Sequence, residues 1–254
     1  MVVDLAGQRV LITGGSSGIG AAVARLLGCH GMHVAIHYNT GADAANTIAG
    51  EIRASGGEAV TLGADMRRSA EAATAVDEAA AALGGLDLLI NNAGSLVGRI
   101  PVADITDEML DDLIDTNIRG VVACTRAAIP HLRKSANGAI INTSSVAARN
   151  GGGPGSVIYA STKGFVSTMT RGLAKELAPD GIRVNAVAPG VIQTPLHDRF
   201  TSPEQLGVIA ASIPMGRLGT AEECAGAFLW LASPALSSYV TGQIIEVNGG
   251  QVMP

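Results

Sequence analysis

Apolar positions along the chain fall into seven short runs, set between longer stretches in which alanine, leucine and valine recur at helical spacing. The runs are Arg9–Thr13, His33–His37, Ala59–Leu62, Leu86–Ile90, Ala139–Asn142, Arg183–Ala188 and Gln243–Val247. Most are continuously apolar rather than alternating, as parallel strands covered on both faces must be. Between them the pattern predicts helices near residues 18–30, 41–55, 69–83, 107–134, 156–178 and 221–232. This alternation predicts an α/β fold: a doubly wound parallel sheet with right-handed crossovers and helices on both faces.

No linker rich in Pro, Gly or Ser divides the chain, and no repeat is present, so residues 1–254 read as a single domain. The Gly151–Gly155 cluster (GGGPG) is too short for a boundary and reads as a loop at the site. The segment 194–219 is longer and less regular than the other connections, and connections of that kind often serve as lids or binding loops. It is expected to be an embedded substrate loop.

Composition narrows the class. Hydrophobic residues make up 47% and charged residues 15%, which supports a substantial core and argues against disorder. Aromatics are only 3%, so that core must rest on Ala, Val, Ile and Leu. A net charge of −5 gives no support for nucleic-acid or anionic-membrane binding. No apolar segment approaches the roughly 18 residues of a membrane span, and no basic-then-apolar leader opens the chain. Cys29, Cys124 and Cys224 are odd in number, widely spaced and set among apolar neighbours, so buried free thiols are expected rather than a disulfide or metal site. The expectation is a cytosolic globular protein without a metal centre.

The first motif with chemical content is Thr13-Gly14-Gly15-Ser16-Ser17-Gly18-Ile19-Gly20, directly after the first predicted strand. Glycines there let the backbone turn tightly and approach a pyrophosphate, while the following helix offers free N–H groups and its positive end. The spacing of Gly14, Gly18 and Gly20 differs from the commoner G-x-G-x-x-G, and a plain structural turn is the competing reading. Asp65 follows the third strand, where it can accept a hydrogen bond from an adenine amino group or stand as a solvated turn residue. Asn91-Asn92-Ala93-Gly94 follows the fourth: the Ala-Gly pair lets an adenine ring or ribose pack on backbone, and the Asn amides can tie strands together.

Tyr159 and Lys163 stand four apart on a predicted helix and share a face. A tyrosine of pKa near ~10 is a poor base at neutral pH, and a nearby ammonium lowers that value. Lys163 can also reach a ribose hydroxyl. Ser145 lies just past the fifth strand, where it can polarise a carbonyl. Ser144 competes with it, since adjacent side chains on an extended segment point opposite ways. Asn117 sits in a strongly helical stretch that does not favour asparagine; it reads either as the holder of a proton-relay water beside Lys163 or as a surface polar position.

Taken together these residues resemble the short-chain dehydrogenase/reductase family. The resemblance covers essentially the whole chain: TGGSSGIG at 13–20, NNAG at 91–94, Asn117, Ser145, YASTK at 159–163, Pro189-Gly190 followed by Thr194, and the closing VTGQIIEVNGG at 240–250. It implies a seven-stranded Rossmann-type sheet, a catalytic tetrad of Asn117, Ser145, Tyr159 and Lys163, and 4-pro-S hydride transfer between a nicotinamide cofactor and a small carbonyl or alcohol. Cofactor contacts are implied for Gly14, Ser16, Ser17, Gly18 and Ile19 in the first turn, for Tyr38 and Asn39 after the second strand, and for Asp65 and Met66 after the third. Asn92, Ala93, Gly94, Tyr159, Lys163, Pro189, Gly190, Ile192 and Thr194 complete the implied set. The chain looks most like the 3-oxoacyl-carrier-protein reductase and glucose dehydrogenase branch, and its closing motif is typical of homotetrameric members.

Two departures from the family pattern matter. Ser145 and Tyr159 are 14 positions apart, where 13 is commoner in the family, which places an extra residue in the Gly151–Gly155 loop. Tyr38 stands where NAD-selective relatives carry an aspartate, which favours NADP over NAD. Yet the turn has Ser17 rather than a basic residue, leaving His37 and Asn39 as candidate contributors to phosphate binding. The substrate loop carries Leu196, Phe200, Leu206, Val208, Ile209, Ile213 and Met215; such residues serve packing or suit an apolar ketone or acyl thioester better than a free sugar. An NAD-dependent alcohol or sugar dehydrogenase, a non-catalytic dinucleotide sensor, and an isomerase or dehydratase on the same fold are the alternatives.

Overall fold

In the computed structural model, which describes residues 5–195 and 200–254, seven parallel strands form one sheet in the order β3-β2-β1-β4-β5-β6-β7. The strands are β1 Arg9–Ile12, β2 His33–Tyr38, β3 Glu58–Gly63, β4 Leu88–Asn91, β5 Ala139–Thr143, β6 Arg183–Pro189 and β7 Ile244–Val247. Helices α1 Gly18–Cys29, α2 Ala42–Ala54 and α3 Ser69–Leu83 join the first four strands. Strand order reverses between β1 and β4, paired in register Val10–Leu88, Leu11–Leu89 and Ile12–Ile90. That switch point opens a crevice at the carboxyl ends of the strands, where sheets of this kind bind ligands.

Each central strand is apolar on both sides because each side has its own layer of helices. Val10, Ile12, Val34 and Ile36 face a cluster completed by α1, α2 and a later helix carrying Phe228 and Leu231. Leu11, Ala35, Leu89 and Ile140 face the other, against α3 and two later helices carrying Ala123 and Leu177. The core is aliphatic, as the scarcity of aromatics requires.

The stretch 107–134 is not one helix. It divides into α4 Asp107–Ile114, a π-helical turn Asp115–Arg119, and α5 Gly120–Leu132. The extra residue per turn rotates Asn117 to a fully buried position, which rules out the surface reading. Such bulges are frequent at functional sites. After β5 come a short helix α6 Ala147–Asn150 and the long α7 Val157–Leu177.

The segment 194–219 also holds more order than its sequence suggested. It contains a helix, α8 Pro203–Ser212, opened by a capping box in which Ser202 and Gln205 bond reciprocally. The Ser-Pro-Glu-Gln signal was readable but overshadowed by the segment's Gly and Pro content. A parallel bridge between Ile192 and Gly219 closes its base, and α9 Ala221–Ala232 follows. Cys124 and Cys224 are buried free thiols as expected; Cys29, the last residue of α1, is instead exposed. No helix among the described residues is long and apolar enough to cross a membrane.

Candidate active site

The β1–α1 turn builds the floor of the crevice. Gly14 has φ +64°, and a Cβ there would stand 3.0 Å from the Ala93 Cα. A Cβ on Gly20 would overlap the Gly14 carbonyl oxygen. Both glycines are needed for the turn to fold back under α1. The α1 N-cap, Ser17, makes no side-chain capping bond, and the first turn has no acidic residue, so its N–H groups and positive end remain for an anion.

Thr13 and Asn92 brace that turn. The Thr13 hydroxyl accepts from the backbone N–H groups of Asn92 and Ala93, both at 3.0 Å, and the Asn92 amide donates to the carbonyls of Thr13 and Gly14 at 3.0 and 3.1 Å. Asn91 crosses to Asn142 on β5 at 2.9 Å. The expected tying of strands by these amides is therefore present, and it uses the Asn92 side chain to hold the turn.

His37 does not contribute to a phosphate site. It is 2% exposed; its Nδ1 accepts the Gly14 N–H at 3.0 Å, and its Nε2–H donates to the Ala64 carbonyl at 3.0 Å. Burial lowers its pKa, which keeps the neutral form that this pair of bonds requires. Neither its role nor that of Thr13 was visible in sequence, since both depend on which strands become neighbours.

A cleft of ≈ 700 Å³ runs from this turn across the ends of β4, β5 and β6. Of the implied cofactor contacts, Gly14, Ser17, Gly18, Ile19, Asn92, Ala93, Gly94, Tyr159, Lys163, Pro189, Gly190, Ile192 and Thr194 line it. Thr194 packs over Gly18, whose Cβ would lie 3.2 Å from Thr194 Cγ2. Ser16, Tyr38, Asn39, Asp65 and Met66 lie outside the cleft lining. Tyr38 ends β2 with its ring over Gly63, so the last residue of the strand brings no carboxylate. The Met66 side chain turns inward, its sulfur accepting from Cys124 Sγ at 3.6 Å; only its backbone can face the crevice. The Asp65 carboxylate is held by Arg67, 2.8 Å away, which holds its pKa below the ordinary value. Asp65 therefore stands at the turn after β3 as an ion-paired carboxylate.

The tetrad residues converge. Ser145, Tyr159 and Lys163 line the cleft together. Asn117 stands just behind, its Oδ1 accepting the Ser95 N–H at 2.9 Å and its Nδ2 donating to the Ser95 carbonyl at 2.8 Å. A Cβ on Gly94 would lie 3.1 Å from Asn117 Oδ1 and 3.2 Å from Lys163 Nζ; glycine there lets the amide and the ammonium face a common space. The two serines have different surroundings. Ser144 Oγ donates to the Lys163 carbonyl at 3.1 Å and meets Ser167 Oγ at 2.7 Å, turned into the packing of α7. Ser145 Oγ interacts with Tyr159 and lowers its pKa.

Burial is the larger influence on both titratable groups. It pushes the Tyr159 phenol up, against the pull of Ser145, and it pushes the Lys163 ammonium down to about 8. Lys163 Nζ donates to the Thr143 carbonyl at 2.8 Å and lies 5.8 Å from the Tyr159 ring centroid. The hydrogen bond from Ser145, rather than the ammonium expected to do so, is what pulls the phenol down in this geometry.

The chain matches the family model described as enoyl-(acyl carrier protein) reductase over residues 14–251. It belongs to the short-chain dehydrogenase/reductase family. As a member it is an oxidoreductase acting on carbonyl or alcohol groups with NAD(P). It is 37% identical over 246 residues to the 3-oxoacyl-[acyl-carrier-protein] reductase FabG of Staphylococcus aureus, covering 97% of this chain and 98% of that one. The NADH-dependent reductase A1-R′ responsible for alginate metabolism superposes with TM-score 0.92 at 41% identity over 100% of both chains; its complex with NAD does so at 0.89 and 40%. A short-chain dehydrogenase from Burkholderia cenocepacia in complex with NADP superposes with TM-score 0.90 at 33% identity, covering 97% and 98% of the two chains. Relatives of this dehydrogenase/reductase thus bind either dinucleotide. The glycine cradle and the free start of α1 suit the pyrophosphate common to both.

Proposed function

We propose that the protein transfers a hydride between NADP(H) and a carbonyl/alcohol pair, with Tyr159 as the acid–base residue. The observation that carries the reading is the convergence of Ser145, Tyr159 and Lys163 on one cleft, with the buried Asn117 behind them. A bound nicotinamide supplies or accepts the hydride at the carbonyl carbon. In reduction Ser145 donates a hydrogen bond to the carbonyl oxygen, and Tyr159 gives its Oη proton to that oxygen as the alcohol forms. Lys163 holds positive charge beside the phenolate so formed, passes it a proton, and takes one back from solvent through the space shared with Asn117. An aligned donor at a developing oxyanion contributes roughly 10²-fold or more.

NADP is favoured because Tyr38 leaves no carboxylate at the β2 exit to repel a 2′-phosphate. Val208 and Ile209 of α8 line the cleft, which supports a substrate with an apolar body, an apolar ketone or a 3-oxoacyl thioester. A second reading, an NAD-dependent dehydrogenase of a sugar-type substrate, draws on the NADH-dependent relative of alginate metabolism at 41% identity. The enzyme is further proposed to act as a cytoplasmic homotetramer. Exposed Phe165 on α7 and Val122 on α5 offer apolar surface for subunit contact, which light scattering on the purified protein tests.

The experiment is a panel of ketones, 3-oxoacyl thioesters and sugars, followed by the absorbance of NADPH and of NADH in parallel, with Tyr159→Phe beside the wild type. Expected are NADPH oxidation by the wild type and its loss in Tyr159→Phe with dinucleotide affinity retained. Near-normal turnover in that variant would overturn the mechanism, and a clear NADH preference would favour the second reading.

A further inference from the structure

Three charged side chains line the cleft among the described residues: Lys163, Glu204 and Arg99. Lys163 has its place beside Tyr159. Arg99, on the segment that leaves β4, belongs to no family motif. Its Nε–H donates to the Phe200 carbonyl at 3.1 Å and its Nη2 donates to the Thr201 hydroxyl at 3.3 Å. The neighbouring Ile100 N–H donates to the Gly155 carbonyl at 2.8 Å, so this segment is also fastened to the glycine loop. Arg99 Nη1 would lie 3.3 Å from a Cβ on Gly153; the absent side chain leaves that nitrogen uncovered.

A guanidinium presents five N–H donors in a planar fork. The edge made by Nε and Nη2 is engaged by residues 200 and 201. The other edge, made by Nη1 and the outer hydrogen of Nη2, has no protein acceptor among the described residues. Among the described residues no carboxylate pairs with it: the Glu204 carboxylate accepts from the Ser202 hydroxyl at 3.3 Å, and no ion pair of theirs involves Arg99. A half-buried cation is stabilised by a counter-charge, and the open edge matches the two oxygens of a carboxylate.

We propose that Arg99 binds a carboxylate of the substrate, so that the enzyme acts on oxo acids. The carbonyl then sits at Tyr159, the carboxylate at Arg99, and the chain between them lies along Val208 and Ile209. The inference rests on the reductase reading above and narrows its substrate class. It also assigns Arg99 a double task, since the same guanidinium fastens the substrate loop, so that anion binding and the position of that loop are linked.

The test uses ω-oxo carboxylates of about four to seven carbons, each beside its methyl ester, with either reduced nicotinamide and the wild type, Arg99→Gln and Arg99→Lys. For at least one chain length, kcat/KM of the acid should exceed that of its ester about 10- to 100-fold, as a charge-assisted pair would produce. Arg99→Gln should lower the acid at least tenfold more than its ester, since loss of the loop tether lowers both, and Arg99→Lys should restore part of the acid preference. Equal rates for acids and esters in the wild type, or an equal fall of both in Arg99→Gln, would show a loop tether and overturn the proposal. If no acid or ester is turned over, the reductase reading fails for this class, and Arg99 is judged by equilibrium dialysis of glutarate. Binding weakened at least tenfold in Arg99→Gln supports the anion site, and unchanged or absent binding overturns it.

Discussion

Ser144 and Ser145 are adjacent and both border the cleft, yet the Ser144 hydroxyl is spent on Lys163 and Ser167 while that of Ser145 meets Tyr159. Ser144→Ala removes hydrogen bonds within buried structure, each worth about 0.5–1.5 kcal/mol, and should lower stability with little effect on turnover. Ser145→Ala should lower kcat roughly 10²-fold or more while leaving dinucleotide affinity intact; steady-state kinetics and urea unfolding separate the two. Lys163 supplies a pH dependence. Burial brings its pKa down to about 8, so the ammonium is present below that pH and lost above it. Dinucleotide affinity of the free protein should be flat at neutral pH and fall as pH rises through about 8. Fluorescence titration of NADPH against pH checks this, with Lys163→Met expected to be weak and flat throughout.

The β1–α1 turn, the π turn and α8 each place chemistry by a local device. In the first, the backbone of Gly14 must pass beneath Gly20, and there is no room for a side chain between them. Gly20→Ala should therefore cost about 1–3 kcal/mol of stability by overpacking and weaken NADPH binding at least tenfold, because the turn that presents the α1 N–H groups must shift. Urea unfolding and a binding titration read the two effects, and a variant with normal affinity would show that the turn tolerates displacement. The π turn works by rotation rather than by close approach. Its wider turn takes Asn117 off the exposed stripe of the helix and into the interior, where both ends of its amide are hydrogen-bonded.

Taken as a whole, the sheet pairs β2 with β1 and so sets the exit of β2 beside the glycine turn, and the proposed preference for NADP rests on what stands at that exit. Tyr38 occupies that exit without charge. Tyr38→Asp should reverse the preference toward NADH, because like charges at short range cost a few kcal/mol, or a factor of about a hundred in affinity. Specificity constants for both dinucleotides in both proteins measure it; unchanged ratios would show that the 2′-hydroxyl lies elsewhere.

Much of this was legible without coordinates. Continuous apolar runs announced strands buried on both faces, the glycine spacing after β1 announced its turn, and the four-residue interval of Tyr159 and Lys163 placed them on one helical face. These features depend on neighbours close in the chain, and backbone geometry converts them directly into structure. The different partners of Ser144 and Ser145, the inward turn of Asn117 and the bonding of His37 to Gly14 and Ala64 could not be read that way. Each depends on which distant segment supplies the partner atom and on how burial shifts a charge. Arg99 shows the limit most clearly: its local sequence carries no signal, and only the packed chain sets its guanidinium in the same cleft as the candidate acid–base residue.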